Sequence, residues 1–174
     1  GYIRIIDKNA YERNKEAAHA ESRYVFICMN TDKICIFTDT GKLHTVKAED
    51  IPLVRFRDKG VPADNLGNYD STTEQILYVA PLSQVAASTV LFVTENGMCK
   101  LVKGDEVRAS KRTIVSTKLM EDDRLVFVGA ADEMDQVVFQ SEKGYFLRIM
   151  KTEISVTKKN AMGVRGMKLT GEDR

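Results

Sequence analysis

Three stretches of the chain share one pattern that decides the fold: ICIFTDTGKLHTV at 34–46, VLFVTENGMCKLV at 90–102 and VVFQSEKGYFLRI at 137–149. They align over 13 positions without a gap. Each copy has a mostly apolar run, a hydroxyl residue, an acid, any residue, a glycine and a second run. The runs are too short for stable helices and are rich in β-branched and aromatic residues, as strands are. The pattern therefore predicts the same β-hairpin three times.

The glycine of each copy stands where a tight hairpin turn needs a residue with positive φ. These glycines are Gly41, Gly97 and Gly144. We expect a β-branched residue at any of them to open the turn. Their separations of 56 and 47 residues fit a propeller blade of about 40 to 50 residues with a variable connection.

Further apolar runs extend the repeat to at least three strands. One run precedes each hairpin, at 24–29, 75–80 and 124–129. Residues 1–5, GYIRI, resemble the second half of an earlier hairpin. Residues 7–23 have no apolar stripe and are interpreted as a solvated linker or one short helix. The stretch 58–74 is interpreted as a long surface connection.

The repeats predict an all-β, propeller-like fold in the form of a partial or short array of about three to four blades. We expect one domain over 1–174, and a fragment of a larger protein, since the opening hairpin lacks its first half. Its expected parts are a partial first blade with linker at 1–23 and repeats at 24–71, 72–123 and 124–174.

Composition excludes several classes of protein. No apolar run approaches the roughly 20 residues of a membrane-spanning helix, so no membrane partner is expected, and the first residues lack the layout of a signal peptide. The cysteines Cys28, Cys35 and Cys99 are odd in number and lie in apolar runs. We expect buried thiols in a reducing compartment.

Motifs for chemistry are missing from the sequence. His19 and His44 are too far apart for a helical metal pair, and no nucleophile elbow, phosphate loop or zinc-protease motif occurs. The acids at 121–123 are expected to lie at a solvated turn. The sequence therefore predicts no catalytic residue, no metal site, no cofactor and no small-molecule substrate.

Charge is segregated along the chain although the totals almost cancel. There are 26 Lys and Arg against 25 Asp and Glu, a net charge of +1. Residues 60–99 hold four acids and no base, whereas 143–168 hold seven bases and one acid. Any nucleic-acid partner must therefore be argued from the position of the bases.

Basic residues recur at nearly equivalent places in the three repeats. Lys47 and Lys103 directly follow the pattern, and Lys151 follows one place late. Further on come Arg55, Lys111 and Lys158, flanked by Arg57, Arg112 and Lys159, and Arg148, Arg165 and Lys168 complete the candidate DNA-binding residues. Equivalent positions in a repeat array form a row along one surface, which suits a polyphosphate track. Solvated loop lysines are the alternative explanation.

The third repeat carries a resemblance to a known family. Residues 135–169 read DQVVFQSEKGYFLRIMKTEISVTKKNAMGVRGMKL, with a strand, the serine-acid-x-glycine turn, a basic stretch and a closing GVRGMKL. The first repeat adds Gly41-Lys42-Leu43, Glu49-Asp50-Ile51-Pro52, Arg55 and Lys59-Gly60-Val61, and the chain opens Gly1-Tyr2-Ile3-Arg4. This order resembles the C-terminal β-pinwheel domain of the A subunit of bacterial DNA gyrase and topoisomerase IV.

The resemblance implies a disc whose blades exchange strands and whose basic perimeter bends duplex DNA. It implies a domain that does no chemistry, because the DNA-cleaving tyrosine lies in an N-terminal region of the same polypeptide, while a B subunit hydrolyses ATP. The implied partners are double-stranded DNA, the catalytic region of the same polypeptide and the B subunit, in the bacterial cytoplasm at the nucleoid.

The sequence differs from that of gyrase at residues 11–18. There gyrase has a basic, glycine-rich heptapeptide needed for chiral wrapping, whereas this chain has YERNKEAA, with acids and no glycine. The departure argues against negative supercoiling. It favours a domain of the topoisomerase IV type, or of a gyrase with a degraded heptapeptide. A propeller-type protein-interaction scaffold without DNA binding is the alternative function.

Overall fold

A computed structural model of the chain describes residues 1–108, 111–171 and 173–174. The strands are β1 Tyr2–Ile3, β2 Lys33–Thr38, β3 Lys42–Lys47, β4 Val61–Pro62, β5 Ile76–Pro81, β6 Thr89–Thr94, β7 Met98–Lys103, β8 Thr113–Val115, β9 Leu125–Ala130, β10 Gln136–Gln140, β11 Phe146–Met150 and β12 Val164–Arg165. The α-helices are α1 Lys8–Arg13, α2 Lys15–Glu21 and α3 Leu82–Ala87, and 3-10 helices span Ala48–Asp50, Ala63–Asn65, Gly104–Val107 and Lys151–Glu153.

The three predicted hairpins are confirmed as the antiparallel pairs β2–β3, β6–β7 and β10–β11. Their turn glycines have the predicted positive φ: 76° at Gly41, 76° at Gly97 and 83° at Gly144. An L side chain rarely adopts this conformation, so the glycine allows each chain reversal.

The strands form four antiparallel sheets, which we number I to IV along the chain. Sheet I pairs β1 with β4, and sheet II has the order β5-β2-β3-β8. Sheet III has the order β12-β7-β6-β9, and sheet IV is the pair β10-β11. Sheets II and III therefore repeat one topology, with a hairpin in the middle and a strand from later in the chain on each edge.

The strands predicted before the hairpins have unexpected partners. The runs at 75–80 and 124–129 do form β5 and β9, but β5 pairs with β2 and β9 with β6, in the preceding hairpin. The strand predicted at 24–29 is wrong, because this segment forms no ladder. Its Ile27 is 77% exposed, so the apolar run buries no regular face, and it is held near β5 by the Tyr24 hydroxyl, which donates to the Leu77 carbonyl.

Short strands complete the outer edges in the same way each time. β8 pairs with β3, β12 with β7 and β4 with β1, in each case beside the residues that follow a glycine. Gly1 accepts a backbone bond from Ala63, as Gly41 does from Ser116 and Gly97 from Gly166. The segment 1–5 is thus placed like the second half of a hairpin, as the sequence indicated.

The sheets pack face against face in chain order. Ile3 and Ile5 of the first segment pack on buried Ile34 and Ile36 of sheet II. Phe37 of sheet II meets Phe92 of sheet III edge to face, with ring centroids 6.0 Å apart. Leu91 and Cys99 of sheet III share a further cluster with Phe139 of sheet IV. Each interface is apolar, so burial of these side chains holds the array together.

Residues 7–23 form two helices where the sequence indicated a linker or one helix. The Asp7 carboxylate accepts the backbone amides of Asn9 and Ala10 and caps α1, and Asn14 separates α1 from α2. Ala18 is buried, whereas most of the other side chains of the two helices are exposed. Among the described residues no helix has the length and apolarity needed to cross a bilayer.

Candidate nucleic-acid interface

Ten of the twelve candidate basic residues have exposed side chains, and Lys151 and Lys159 are half-buried. The ten are Lys47, Arg55, Arg57, Lys103, Lys111, Arg112, Arg148, Lys158, Arg165 and Lys168. Exposure leaves their cationic groups available to an anionic partner.

Each basic connection crosses the preceding sheet at the same strand position. In the first, Ile5 donates to the Pro52 carbonyl at 3.0 Å, three residues before Arg55. In the second, Thr45 donates to the Arg112 carbonyl at 2.8 Å. In the third, the Leu101 amide donates to the Ser155 carbonyl at 3.2 Å, and the Leu101 carbonyl accepts the Thr157 amide at 2.8 Å. Ile5, Thr45 and Leu101 each lie four residues after a turn glycine or Gly1, so each connection meets its strand at the same position. Ile5 and Leu101 form parallel bridges there with Leu53 and Val156, whereas Thr45 continues the antiparallel pairing of β3 with β8.

Lys111 is not a full equivalent of Arg55 and Lys158. The connections 51–60 and 154–163 have the same length up to the short edge strand, and in both the residue before the base donates to the crossed strand. The second connection, 107–113, is three residues shorter up to the corresponding pairing. An alignment that starts from the turn glycines does not show this difference, because the three missing residues lie after Val107, between it and β8.

A basic groove joins two of the predicted residues. Lys47 and Arg112 line it together with Lys33 and the single acid Asp50. Lys33 lies opposite Lys47 in the β2–β3 register, which explains why the two ammonium groups share one end of sheet II. Lys47 also binds Glu49 at 2.8 Å, and this hydrogen bond raises the pKa of Lys47 while the nearby Arg112 opposes the rise. Lys33 was not identified from the sequence.

Lys151 lies in a different setting from Lys47 and Lys103. The latter two end their strands, whereas Lys151 begins a 3-10 helix, one place later, as the sequence alignment indicated. Its ammonium donates to the carbonyls of Ala131 at 2.8 Å and Asp132 at 3.2 Å. The Lys151 ammonium is therefore hydrogen-bonded to the backbone within the domain, whereas the side chains of Lys47 and Lys103 are exposed.

A second set of basic residues lies under the crossings and was missed from the sequence. Arg4, His44 and Lys100 each follow a turn glycine, or Gly1, by three residues. Arg4 donates to the Asp58 carbonyl, and His44 Nδ1 is 3.0 Å from the Thr113 hydroxyl. Lys100 is 2% exposed and donates to three carbonyls of the third connection. Two of the three aligned copies carry this signal, a base three places after the glycine, and the third copy has Leu147 there.

His44 also belongs to a buried polar cluster in sheet II. Its Nε2 is 2.9 Å from Glu74 Oε2, and Lys42 Nζ is 2.9 Å from Glu74 Oε1. Burial raises the pKa of Glu74, but the hydrogen bonds from Lys42, His44 and Thr38 outweigh it and lower the pKa to about 2. Glu74 is therefore an ionised internal partner that ties the start of β5 to the hairpin β2–β3.

Asp123 shows that one expectation about acids was wrong. It is 7% exposed, and its Oδ1 accepts the backbone amides of Asn96 and Arg124. Asp123 precedes β9 as Glu74 precedes β5, so it fixes the start of the edge strand against the turn of the hairpin. The exposed Asp122 has a φ of 60° and forms the turn itself.

Groups for metal or thiol chemistry are not assembled in the part of the chain that the structure describes. No cluster of three potential metal ligands occurs there. The cysteines are free; Cys35 and Cys99 are buried, as predicted, and Cys28 is half-buried. Burial raises the pKa of Cys35 to about 12 and that of Cys99 to about 11, so neither is a thiolate near neutral pH.

Known proteins show the same sequence pattern and fold. The family model described as DNA gyrase C-terminal domain, beta-propeller, matches residues 32–73, 88–132 and 135–174. The A subunit of DNA gyrase from Klebsiella oxytoca is 25% identical over 100% of this chain and 21% of that protein. The A subunit of DNA topoisomerase 4 from Bacillus subtilis is 28% identical over 82% of this chain and 18% of that protein. The chain thus spans about a fifth of the length of these curated relatives.

A solved structure extends the likeness to three dimensions. The C-terminal domain of DNA topoisomerase IV superposes with a TM-score of 0.81 at 25% identity, over 99% of this chain and 56% of that one. This match and the family model confirm the propeller fold predicted from the hairpins. They also confirm the resemblance seen in the third repeat. The chain belongs to the family of the DNA gyrase C-terminal domain, beta-propeller.

Proposed function

We propose that this chain binds and bends duplex DNA as an accessory domain of the A subunit of a type II topoisomerase. The observation that carries the proposal is that the three basic connections meet the preceding strands at corresponding residues, Ile5, Thr45 and Leu101. The sheets pack one on the next in chain order, so bases at corresponding places on them form a row. A phosphate backbone binds such a row of cations.

The row contains exposed or half-buried bases at each crossing and in the groove that Lys47 and Arg112 line. Its members are Lys33, Lys47, Arg55, Arg57, Lys103, Lys111, Arg112, Lys158 and Lys159, with Arg148, Arg165 and Lys168 on the third repeat. Contacts of this kind go to phosphates and read no sequence, which suits a module that acts at many sites. Bending a site of 20 to 30 base pairs costs on the order of 1 to 6 kcal/mol, which several charge-assisted contacts offset.

The domain serves the enzyme by presenting a DNA segment for strand passage. Its proposed partners are the catalytic region of its own polypeptide and the ATPase subunit, both located in the bacterial cytoplasm with the nucleoid. The family match supports this assignment, since the relatives are A subunits of gyrase and topoisomerase IV. Catalysis is assigned to the parts of those proteins outside this chain.

Fluorescence anisotropy with a labelled duplex of about 30 base pairs, the size of one bent site, tests the proposal. We expect affinity to fall at least about tenfold between 50 and 200 mM salt, because several phosphate contacts release counterions. The variant Lys158→Ala/Lys159→Ala should weaken all duplex sequences alike. Lys8→Ala/Lys15→Ala, which removes two exposed bases from α1 and α2, is the control with the same change in charge.

Two outcomes would contradict the proposal. A protein-interaction scaffold would leave the duplex unbound at micromolar protein. Equal losses in the Lys158/Lys159 variant and the Lys8/Lys15 variant would show that net charge and not the row determines binding. Energy transfer between dyes at the two ends of the duplex tests bending separately, with closer ends expected in the complex.

A further inference from the structure

Lys100 is a buried lysine with an unusual set of partners. Its side chain lies under the third connection, where Nζ donates to the carbonyls of Ala161 at 2.5 Å, Lys159 at 2.7 Å and Lys158 at 3.4 Å. Nζ also lies 5.8 Å from the centroid of the Phe92 ring. An ammonium has three donors, and three backbone carbonyls of one short loop occupy them.

A buried ammonium is costly unless its donors are satisfied. Burial lowers the pKa of Lys100 to about 8, with Glu106 acting in the opposite direction, so the group is largely protonated at neutral pH. The loop supplies the acceptors that keep it charged. Without the ammonium, the Lys158 and Lys159 carbonyls would keep the backbone amides of Ala161 at 3.0 Å and Lys118 at 3.3 Å, whereas the Ala161 carbonyl would lose its bond from Lys100.

A second contact presses the same loop onto the same strand. Gly163 has a φ of 90°, and a Cβ built on it would lie 2.5 Å from the Cys99 carbonyl oxygen and 3.0 Å from Lys100 Cβ. The loop 158–163 is therefore fixed at both ends, by Lys100 at its start and by close backbone approach at Gly163. The exposed side chains of the loop include the Lys158 ammonium of the row.

We propose that Lys100 is a positioning residue for DNA binding, whose buried ammonium holds the backbone at 158–161 so that Lys158 and Lys159 face the duplex in fixed positions. Lys100 itself is buried and contacts no DNA. Arg4 and His44 hold the first and second connections from the same column of the repeat, which makes this a device repeated along the array. The inference rests on the proposed function, since it assigns a role within that interface.

The test is a double-mutant cycle in the whole chain, read by the dependence of duplex affinity on salt. Lys158→Ala/Lys159→Ala should lower the absolute slope of log K against log salt by about 1.8, the value for two lost phosphate contacts. Lys100→Met should lower the slope by a similar amount although it removes no exposed charge. In the Lys100→Met background the Lys158/Lys159 substitutions should add little, since neighbouring groups that act through one another are not additive.

Matched variants separate this role from plain stability. Lys15→Met removes one exposed charge from α2 and should leave the slope unchanged. Gly163→Ala should displace the loop with every lysine intact and lower the slope as Lys100→Met does, which keeps the test decisive if Lys100→Met fails to fold. A folded Lys100→Met or Gly163→Ala protein with the wild-type slope would overturn the inference. So would additive losses in the cycle.

The outcomes distinguish the two proposals. A wild-type chain that leaves the duplex unbound, or a Lys158/Lys159 variant that binds like wild type, overturns the proposed function and the role of Lys100 with it. Wild-type binding through Lys158 and Lys159 that is indifferent to Lys100 overturns the role of Lys100 alone. Amide hydrogen exchange at 158–163 should be faster in Lys100→Met if the ammonium holds this loop.

Discussion

The hairpins β6–β7 and β10–β11 follow one 13-residue pattern, yet the first is buried along both strands and the second is exposed along most of both. β9 and β12 cover the edges of β6 and β7. No described strand pairs with the outer edges of β10 and β11. The comparison teaches that the pattern specifies the hairpin, whereas burial comes from strands that arrive later in the chain.

The largest effect should come from one matched pair of positions. Leu91 and Val138 occupy the same place in the pattern, but Leu91 is 2% exposed and Val138 is 60% exposed. We expect Leu91→Ala to lower the free energy of unfolding by about 3 to 5 kcal/mol, because it leaves a cavity in the cluster with Phe139. Val138→Ala should change it by less than about 0.5 kcal/mol. Urea denaturation measures both, and similar losses would contradict the comparison.

The turn glycines give the next largest effect. Gly97 and Gly144 have φ values of 76° and 83°, so valine is strained at either. A Cβ on Gly97 would lie 2.5 Å from the Met167 carbonyl oxygen, whereas none of the described atoms comes within 4 Å of one on Gly144. We expect Gly97→Val to cost about 3 kcal/mol and Gly144→Val about 1 to 2 kcal/mol. Thermal unfolding of the two variants checks the order, and a costlier Gly144→Val would reverse our explanation.

Glu74 and Asp123 precede β5 and β9 and allow sheets II and III to be compared by their response to pH. The lowered pKa of Glu74 means that its carboxylate stabilises the fold above about pH 4.5, and that this stability is lost as the pH falls towards 2. Glu74→Gln should cost about 2 to 3 kcal/mol at pH 7 and progressively less below pH 4. Asp123→Asn, which retains an acceptor for the two amides, is the matched control. Urea titrations at pH 7 and pH 3 are the measurement, and a pH-independent cost of Glu74→Gln would contradict the ionic role.

The smallest effect is expected at the exposed pair of Lys47 and Glu49, at the end of sheet II. Both side chains are 60% exposed, and such pairs contribute little to stability. Glu49→Gln should leave the free energy of unfolding almost unchanged, because solvent screens this pair. It should raise duplex affinity about twofold at low salt, because Lys47 then interacts with phosphate alone. Anisotropy titrations at 50 mM salt test this, with Glu16→Gln on α2 as the control.

The hairpins, their turn glycines and strands β5 and β9 could be predicted because alternation and turn chemistry are local signals. The partners of β5 and β9 could not, since alternation indicates which face of a strand is buried and not which edge it joins. The exposed bases could be predicted because they recur at similar distances after the three hairpins. Lys100 was missed because a lysine is rarely buried, and its partners are carbonyls about 60 residues away that no side-chain pattern reveals.

Strand sharing has a consequence for how the chain is made. The hairpin β2–β3 ends at Lys47, yet its edges are closed by β5 and by β8, which ends at Val115. On the ribosome, a finished hairpin must therefore keep its β2 edge open until Pro81 and its β3 edge open until Val115, 34 and 68 residues after Lys47. Nascent copies on one polysome carry the same open edges side by side, so slow translation of 48–115 favours contacts between chains over completion of the sheet.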